Sequence, residues 1–153
     1  MGYTTDFEGT FKVNKRLDDK TFELLFGLSK TRRMGRKGLA KKYGIEGEFY
    51  CPDDEDYGLS DKLGVIDYNT PPKTQPSLWC QWTPLREGDA DYIEWDGGEK
   101  FYNYVEWITY LIESVLKPKG YSITGEVKWR GEDIDDCGVI TIKDNQITTR
   151  ILQ

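Results

Sequence analysis

The sequence predicts an α+β fold, in which an antiparallel sheet of about six to seven strands carries two helices packed on one of its faces. Several short stretches alternate apolar and polar residues with a period of two, as half-buried strands do. Two longer stretches repeat apolar residues with the 3.6-residue period of amphipathic helices. The predicted order is strand, helix, strand, two or three strands, helix and three strands. It fits one such sheet in a single domain over residues 1–153, and a ferredoxin-like core with extra strands is one version of it.

The first predicted elements are a strand and a helix. The strand covers residues 7–13, whose odd-numbered positions are apolar or glycine. The helix covers residues 19–30, where Asp18 or Asp19 can act as the N-cap. Apolar residues recur along the helix at helical spacing: Phe22, Leu25, Phe26 and Leu28.

The middle of the chain is predicted to be mostly irregular. Residues 30–42 contain seven Lys or Arg, no acid and two glycines, so we expect an exposed basic loop with at most a short helical turn. A short strand over residues 47–51 and an acidic, turn-rich loop over residues 52–64 follow. Residues 65–77 hold three of the six prolines. They favour an ordered, non-helical crossing, because proline fixes its own φ and biases the preceding residue towards extended conformations.

The remaining predicted strands form a hairpin and a meander. Residues 78–85 and 92–96 both alternate, and a short turn-forming segment joins them, which predicts a β-hairpin. Residues 121–131, 137–143 and 146–152 alternate in the same way and are separated by turn residues. They predict a three-stranded antiparallel meander at the end of the chain.

A second helix is predicted to begin at Glu99, after a Gly-Gly pair breaks the preceding strand. Asp96 would then be its N-cap, and Glu99 would complete a capping box by bonding back to the N–H of the cap. A proline and a glycine end the helix after Leu116. The apolar stripe of this helix comprises Val105, Ile108, Ile112, Val115 and Leu116.

The composition argues against several classes of function. The chain has no histidine, which removes the common forms of Ser-His-Asp and Cys-His catalysis and all His-based metal sites. Cys51, Cys80 and Cys137 lie far apart without C-x-x-C spacing, which fits reduced thiols in a cytoplasmic protein. The net charge of −6 disfavours nucleic acid and anionic membranes as partners and suits a basic protein partner. We expect no signal peptide and no membrane-spanning segment.

Two acidic turns, one around the Gly-Gly pair and one at residues 132–136, are candidate cation sites, since clustered carboxylates bind Ca²⁺ or Mg²⁺. Neither has the spacing of an EF-hand loop, which favours solvated turns. Glu94 and Asp96 lie on one face of a predicted strand, about 6–7 Å apart, as two residues of rise require. Glycosidases use carboxylate pairs at such a separation, but any alternating strand with two acids produces it. We therefore predict no catalytic residue, no metal and no cofactor.

Several blocks of the sequence resemble those of a family of small uncharacterised proteins from bacteria and from their phages and prophages. The blocks are "TRRM", "YGIEGEFY", "VIDYNTPPKTQPSLWCQW", "IEWDGGEKFYNYVEWITYLI" and "GYSITGEVKWRGEDIDDCGVITIKDN". The resemblance extends over roughly residues 7–145. It implies a cytoplasmic protein associated with mobile elements, and it implies no activity, cofactor or site residue.

The candidate binding residues combine the basic segment with aromatic and acidic side chains. Arginines of the basic segment suit bidentate contacts to phosphate. Aromatic side chains with polar anchors suit a groove for a ligand or a peptide. The lysine beyond the Gly-Gly pair would add positive charge at the start of the second helix. The candidate residues are Arg32, Arg33, Arg36, Trp79, Gln81, Glu94, Asp96, Lys100, Trp129 and Glu132.

Two functional hypotheses follow from these residues. The first is a non-enzymatic, phage- or mobile-element-associated binding protein, which uses an acidic and aromatic surface to engage another macromolecule with a basic site. The alternative is a protein that binds a small molecule, a nucleotide or a phosphosugar, in a Trp-lined site with Arg or Lys anchors. The sequence leaves the oligomeric state and the identity of the partner open.

Overall fold

The computed structural model describes residues 2–52 and 64–152. Its main sheet has six strands, and every neighbouring pair is antiparallel. A separate two-stranded sheet pairs β2 with β3. The strands are β1 (Asp6–Val13), β2 (Gly35–Arg36), β3 (Val65–Asp67), β4 (Trp82–Glu87), β5 (Ala90–Trp95), β6 (Ile123–Arg130), β7 (Cys137–Lys143) and β8 (Gln146–Ile151).

The predicted α+β fold is confirmed. The main sheet has the strand order β4-β5-β1-β6-β7-β8. The helices are α1 (Asp19–Lys30) and α2 (Tyr104–Leu111). Between β1 and β6 the chain follows the β-α-β-β-α-β order of a ferredoxin-like core if the small sheet is set aside, and β7 and β8 extend the sheet beyond β6. Neither helix of the described chain has the length and apolar character that crossing a membrane would require.

The core lies between the two helices and one face of the main sheet. The register places Phe11 opposite Ile93 on one side and opposite Gly125 on the other, and Gly125 lies opposite Ile142. Side chains at these positions point to one face, because residues directly opposite each other in neighbouring strands share a face. The side chains on this face form one buried cluster with residues of both helices. Helix α1 contributes Leu25 and Leu28, and helix α2 contributes Trp107, Ile108 and Leu111.

Helix α1 has the predicted boundaries because its start signal is local. The Asp18 side chain accepts a hydrogen bond from the N–H of Thr21 at 2.7 Å, which satisfies one of the unpaired donors of the first turn. That bond is also the largest of the contributions that lower the pKa of Asp18. Leu25 and Leu28 of the predicted stripe are buried, whereas Phe26 is 48% exposed, so the predicted stripe is confirmed only in part.

Helix α2 begins five residues later than predicted, at Tyr104 instead of Glu99. Asn103 occupies the N-cap position in a left-handed conformation, and its side chain makes no capping bond. The predicted cap, Asp96, instead accepts a hydrogen bond from the N–H of Gly98 at 2.8 Å in a local turn. The intervening segment stays irregular because it carries Phe101 into the core, and residues 97, 100 and 103 have positive φ. Burial of Phe101 therefore outweighs the local capping signal.

The end of α2 changes hydrogen-bonding pattern before it stops. Residues Ile112–Leu116 form a π-helical turn, and Lys117–Lys119 form a 3₁₀ turn. The N–H of Lys117 donates to the carbonyl of Ile112, which is the π-type spacing. Gly120 then adopts a left-handed conformation with φ of 82°, as the predicted glycine stop requires.

Two other predictions for the middle of the chain are wrong. Residues 47–51 form turns and no strand; the Glu48 carboxylate accepts the N–H of Glu46, and this local bond favours a turn. The first strand of the hairpin begins at Trp82 instead of residue 78, because the carbonyl of Leu78 accepts the N–H of Arg33 outside the main sheet. The predicted acidic loop at residues 52–64 lies almost wholly outside the described residues.

Candidate functional site

Three of the predicted site residues meet in one small cleft at the end of the hairpin. Trp79, Gln81 and Asp96 line a cleft of about 250 Å³ together with Ser29, Lys30 and Gly98. The side chain of Gln81 is already engaged: its Nε2 donates to the carbonyl of Glu99 at 2.7 Å, and its Oε1 accepts from the Trp95 indole at 3.1 Å. Burial raises the pKa of Asp96, and this effect outweighs the hydrogen bond from Gly98 and the charge of Lys30. The polar side chains of Gln81 and Asp96 therefore already form hydrogen bonds within the protein.

Residues 37–42 of the basic segment are mostly exposed and include the start of a 3₁₀ turn, as the sequence predicts, but residues 31–36 are not an exposed loop. Arg33 and Arg36 are buried, with 1% and 2% of their surface exposed, and Met34 between them is buried as well. The Arg33 Nη2 donates to the carbonyl of Tyr50 at 2.7 Å. The guanidinium of Arg36 lies 4.5 Å from the centre of the Tyr50 ring. These two arginines therefore hold the 45–50 turn region against the fold and are not available to a phosphate at the surface.

Arg32 is partly exposed but is also engaged within the chain. Its Nε donates to the carbonyl of Tyr68 and its Nη2 to the side chain of Asn69, each at 3.0 Å. Its guanidinium stacks 4.1 Å from the centre of the Tyr68 ring. Three arginines that the sequence groups as ligand anchors therefore all tie down neighbouring loops.

The sequence predicts that Trp129 lines a groove with Trp79, but the structure places the two residues apart. Trp129 is buried on the core face of β6, where its indole Nε1 donates to Asp136 at 2.9 Å and its ring packs against Tyr104. A side chain at Gly138 on the neighbouring strand would collide with the Trp129 ring, so the glycine makes room for the indole. Trp129 is therefore a core residue that also braces the adjoining turn.

Glu94 and Lys100 lie apart from the Trp79 cleft. Glu94 lies opposite Thr83 in the register of the hairpin and is not among the residues that line the cleft. Lys100 is exposed on the irregular segment before α2, and its side chain runs past Gly2. The residues that the sequence assigns to a single aromatic and basic groove thus lie in several separate parts of the structure.

Glu132 belongs to a turn that the structure holds firmly. The turn joins β6 to β7 and is closed by the N–H of Gly131, which donates to the carbonyl of Asp136 at 2.7 Å. The Asp136 carboxylate accepts the hydroxyl of Tyr3 at 2.7 Å and the indole of Trp129 at 2.9 Å. The Glu132 carboxylate accepts the N–H of Thr4 at 2.7 Å. The N-terminal residues therefore pin the turn at both of its ends.

An exposed surface surrounds this turn, and we call it the acidic patch. Ile134 lies in the turn with 86% of its surface exposed, and Tyr102 is 49% exposed. The backbone N–H of Tyr3 donates to the Tyr102 hydroxyl at 3.0 Å, which joins the aromatic residues to the turn. The acidic patch comprises Tyr3, Tyr102, Glu132, Asp133, Ile134 and Asp135. The sequence analysis identified the acidic turn at residues 132–136 but named only Glu132 as a binding residue, although an isoleucine inside the acidic run "EDIDD" was the available signal.

Two larger clefts lie elsewhere on the described surface. One of about 660 Å³ lies at the foot of the acidic patch, and both acids and bases line it, including Asp6, Glu8, Lys128 and Arg130. The other, of about 630 Å³, lies between α1, residues 42–51 and residues 114–119. Sequence reasoning missed this second cleft because its walls come from three distant parts of the chain. Within residues 2–52 and 64–152, no group of three His, Cys, Asp or Glu side chains is arranged to hold a metal ion.

Comparisons of the chain with protein-family models, with curated proteins and with solved structures find no match.

Proposed function

We propose that this chain is a non-enzymatic binding protein that engages a macromolecular partner with a basic site through the acidic patch. The observation that carries the proposal is the position of Ile134, an exposed apolar side chain at the tip of a braced turn with acids on both sides. The association with phages or mobile elements rests on the sequence resemblance alone and stays part of the proposal.

The bracing of the turn favours binding because it lowers the entropy lost on association. Each hydrogen bond from Tyr3, Thr4 and Trp129 fixes part of the turn before a partner arrives. A surface that is already ordered does not have to be ordered by the partner. A single exposed isoleucine is ordinary on a protein surface. An isoleucine held on a braced turn, with an exposed tyrosine linked to that turn through Tyr3, has the arrangement of an interface anchor with a charged rim.

The charge of the patch indicates the chemistry of the partner. Glu132, Asp133 and Asp135 are exposed, and the whole chain carries a net charge of −6. Two cations lie next to the patch: Lys100 on the side of Tyr102, and the exposed Arg130 at the end of the strand before the turn. Such a surface attracts a basic partner over long range and raises the rate of encounter, and both effects weaken as the salt concentration rises.

A capture experiment with matched variants tests the proposal. The patch variant carries Glu132→Gln, Asp133→Asn, Asp135→Asn and Ile134→Ser. The control variant removes the same number of charges at exposed positions elsewhere, through Glu87→Gln, Asp89→Asn and Glu106→Gln. Each protein is immobilised and exposed to a bacterial lysate, and the retained proteins are quantified by mass spectrometry at low and at physiological salt.

We expect at least one basic protein to be retained by the wild type and by the control but lost, by tenfold or more, from the patch variant. Retention should also fall as the salt concentration rises. A retained set that is the same for all three proteins, or a wild type that retains nothing specific, contradicts the proposal. Circular dichroism of each variant establishes that the fold is unchanged.

A further inference from the structure

The cleft of about 630 Å³ between α1 and the end of the second helix has the size of a small-molecule site. Its walls come from the first turns of α1, from the 3₁₀ turn at residues 41–43 with the loop that follows, and from the π-helical turn with Lys119. We call it the lysine cleft. Its lining residues are Lys20, Glu23, Leu24, Lys42, Tyr43, Phe49, Cys51, Ser114, Val115 and Lys119.

The charge of the lysine cleft is opposite to that of the protein as a whole. Three lysines line it against a single acid, Glu23, among the described residues, whereas the chain carries a net charge of −6. Within residues 2–52 and 64–152, none of these lysines forms an ion pair. Unpaired ammonium groups that share a concave surface repel one another, and an anion bound between them removes that repulsion.

The positive charge of Lys119 is partly compensated by the Asp18 carboxylate, whose pKa it helps to lower. The other contacts of the lysines are weak ones. Lys119 Nζ lies 3.3 Å from the Thr21 hydroxyl, and Lys42 Nζ lies 4.9 Å from the centre of the Tyr43 ring. Lys117, just outside the cleft, shows the contrast, because it pairs with Glu113 at 3.7 Å. The cleft therefore presents cations whose hydrogen-bonding capacity is largely unused by the chain.

Aromatic rings form a fixed part of the same wall. Tyr43 makes an edge-to-face contact with Tyr50 at 5.2 Å between ring centres, and Phe49 stacks on Tyr110 at 6.5 Å. Rings that are held in this way offer flat apolar surface at little cost in conformational entropy. The Ser114 hydroxyl adds a neutral polar group, and the π-helical turn that carries it is a feature often found at functional sites.

We propose that the lysine cleft binds a nucleotide, with Lys20, Lys42 and Lys119 facing its phosphate groups and with Tyr43 and Phe49 facing its base. Phosphate groups supply the negative charge that the three ammonium groups lack, and the base supplies a flat ring for the aromatic wall. The site shares no residue with the acidic patch, so the proposal stands or falls independently of the proposed function.

Isothermal titration calorimetry with a panel of ligands tests the proposal. The panel contains nucleoside mono-, di- and triphosphates, the uncharged nucleosides and inorganic phosphate. The cleft variant carries Lys20→Gln, Lys42→Gln and Lys119→Gln. The control variant removes three exposed lysines from the main sheet, through Lys12→Gln, Lys128→Gln and Lys143→Gln.

We expect at least one nucleotide to bind the wild type at least tenfold more tightly than its nucleoside or inorganic phosphate. The cleft variant should lose at least tenfold in affinity, and the control variant less than threefold. The proposal is overturned if no nucleotide binds at millimolar concentration, if the cleft variant keeps full affinity, or if inorganic phosphate binds as tightly as the nucleotides.

Alkylation of Cys51 locates the bound ligand without relying on substitutions. Cys51 lines the lysine cleft, Cys137 lines the other large cleft, and Cys80 is buried with a pKa raised to about 12 by that burial. A saturating nucleotide should slow alkylation of Cys51 at least fivefold while the rate at Cys137 stays the same. Equal protection of both thiols, or of neither, places the ligand elsewhere and contradicts the proposal.

Discussion

The first half of the basic segment, residues 30–36, and the acidic turn at residues 131–136 look alike in sequence, since each is a short run whose charges are all of one sign. In the fold they differ completely. Arg33 and Arg36 are buried, whereas Glu132, Asp133 and Asp135 are exposed. The long arginine side chains reach a carbonyl and a tyrosine ring inside the protein. The short carboxylates instead hydrogen-bond nearby backbone or point into water. Side-chain reach and available partners, and not charge density alone, decide which run becomes a surface.

The largest loss of stability among these variants is expected when the Arg33 side chain is truncated. We expect Arg33→Ala to lower the free energy of unfolding by about 3 kcal/mol, because it leaves a cavity and removes the hydrogen bond to the Tyr50 carbonyl. Arg33→Met fills most of the space. It also removes Nε and Nη1, which are buried without a hydrogen-bond partner in the described chain. We expect that variant to stay within about 1 kcal/mol of the wild type. Urea denaturation measures the free energy of unfolding of both variants. If Arg33→Met loses as much stability as Arg33→Ala, the charge of Arg33 itself is required.

Alkaline titration probes the low polarity around the same buried region. Burial raises the pKa of Tyr110 to about 12, and its hydroxyl accepts a hydrogen bond from Gln75. The unfolded chain loses this proton near its ordinary pKa of about 10, so stability should fall as the pH rises from about 10 to 12. Tyr110→Phe should make that fall smaller by about 2 kcal/mol. The exposed Tyr102→Phe serves as the control, and the same slope in all three proteins would contradict the expectation.

On the acidic side, a single carboxylate should matter for stability. Asp136→Asn replaces one of the two oxygens that accept the Tyr3 hydroxyl and the Trp129 indole, so we expect a loss of about 1 kcal/mol. Asp135→Asn, one residue away and exposed, should change stability by less than about 0.5 kcal/mol. Thermal denaturation of the two variants measures the difference. Equal effects would show that the turn is not braced through Asp136.

The smallest effect is expected at Asp96, the acid in the Trp79 cleft. Burial raises its pKa, so the folded state favours the protonated form, and stability is lost as the pH rises through the acid range towards neutrality. Asp96→Asn keeps an oxygen for the N–H of Gly98 and should be more stable than the wild type at pH 7, by less than about 1 kcal/mol. The gain should vanish near pH 3. A variant that is less stable at pH 7 would show that the charge is needed there.

The sequence was sufficient for those features whose causes are local or periodic. Helix α1 has the predicted ends because Asp18 is followed at the correct spacing by a free N–H, and the hairpin and meander follow from alternation and turn residues. The start of α2 was missed because burial of Phe101 overrides a good capping signal. Local rules cannot weigh a contact that exists only after the chain has folded.

The candidate sites were less predictable because they depend on long-range contacts. The burial of Arg33 requires Tyr50 and Leu78, which lie 17 and 45 residues further along the chain. The lysine cleft requires Lys20 and Lys119 to line the same cleft, although 99 positions separate them in sequence. No periodicity encodes such a meeting. The acidic turn was visible because all of its carboxylates lie within six residues.

The position of β1 bears on how the molecule reaches this state. Among the described strands it comes earliest in the chain, yet its neighbours in the sheet are β5 and β6, about 80 and 117 residues later. Its two edges therefore stay unpaired until β5 and β6 have been synthesised, and the central pairing forms only after that point. Such distant pairing gives a high contact order, so refolding from urea should take milliseconds to seconds instead of microseconds.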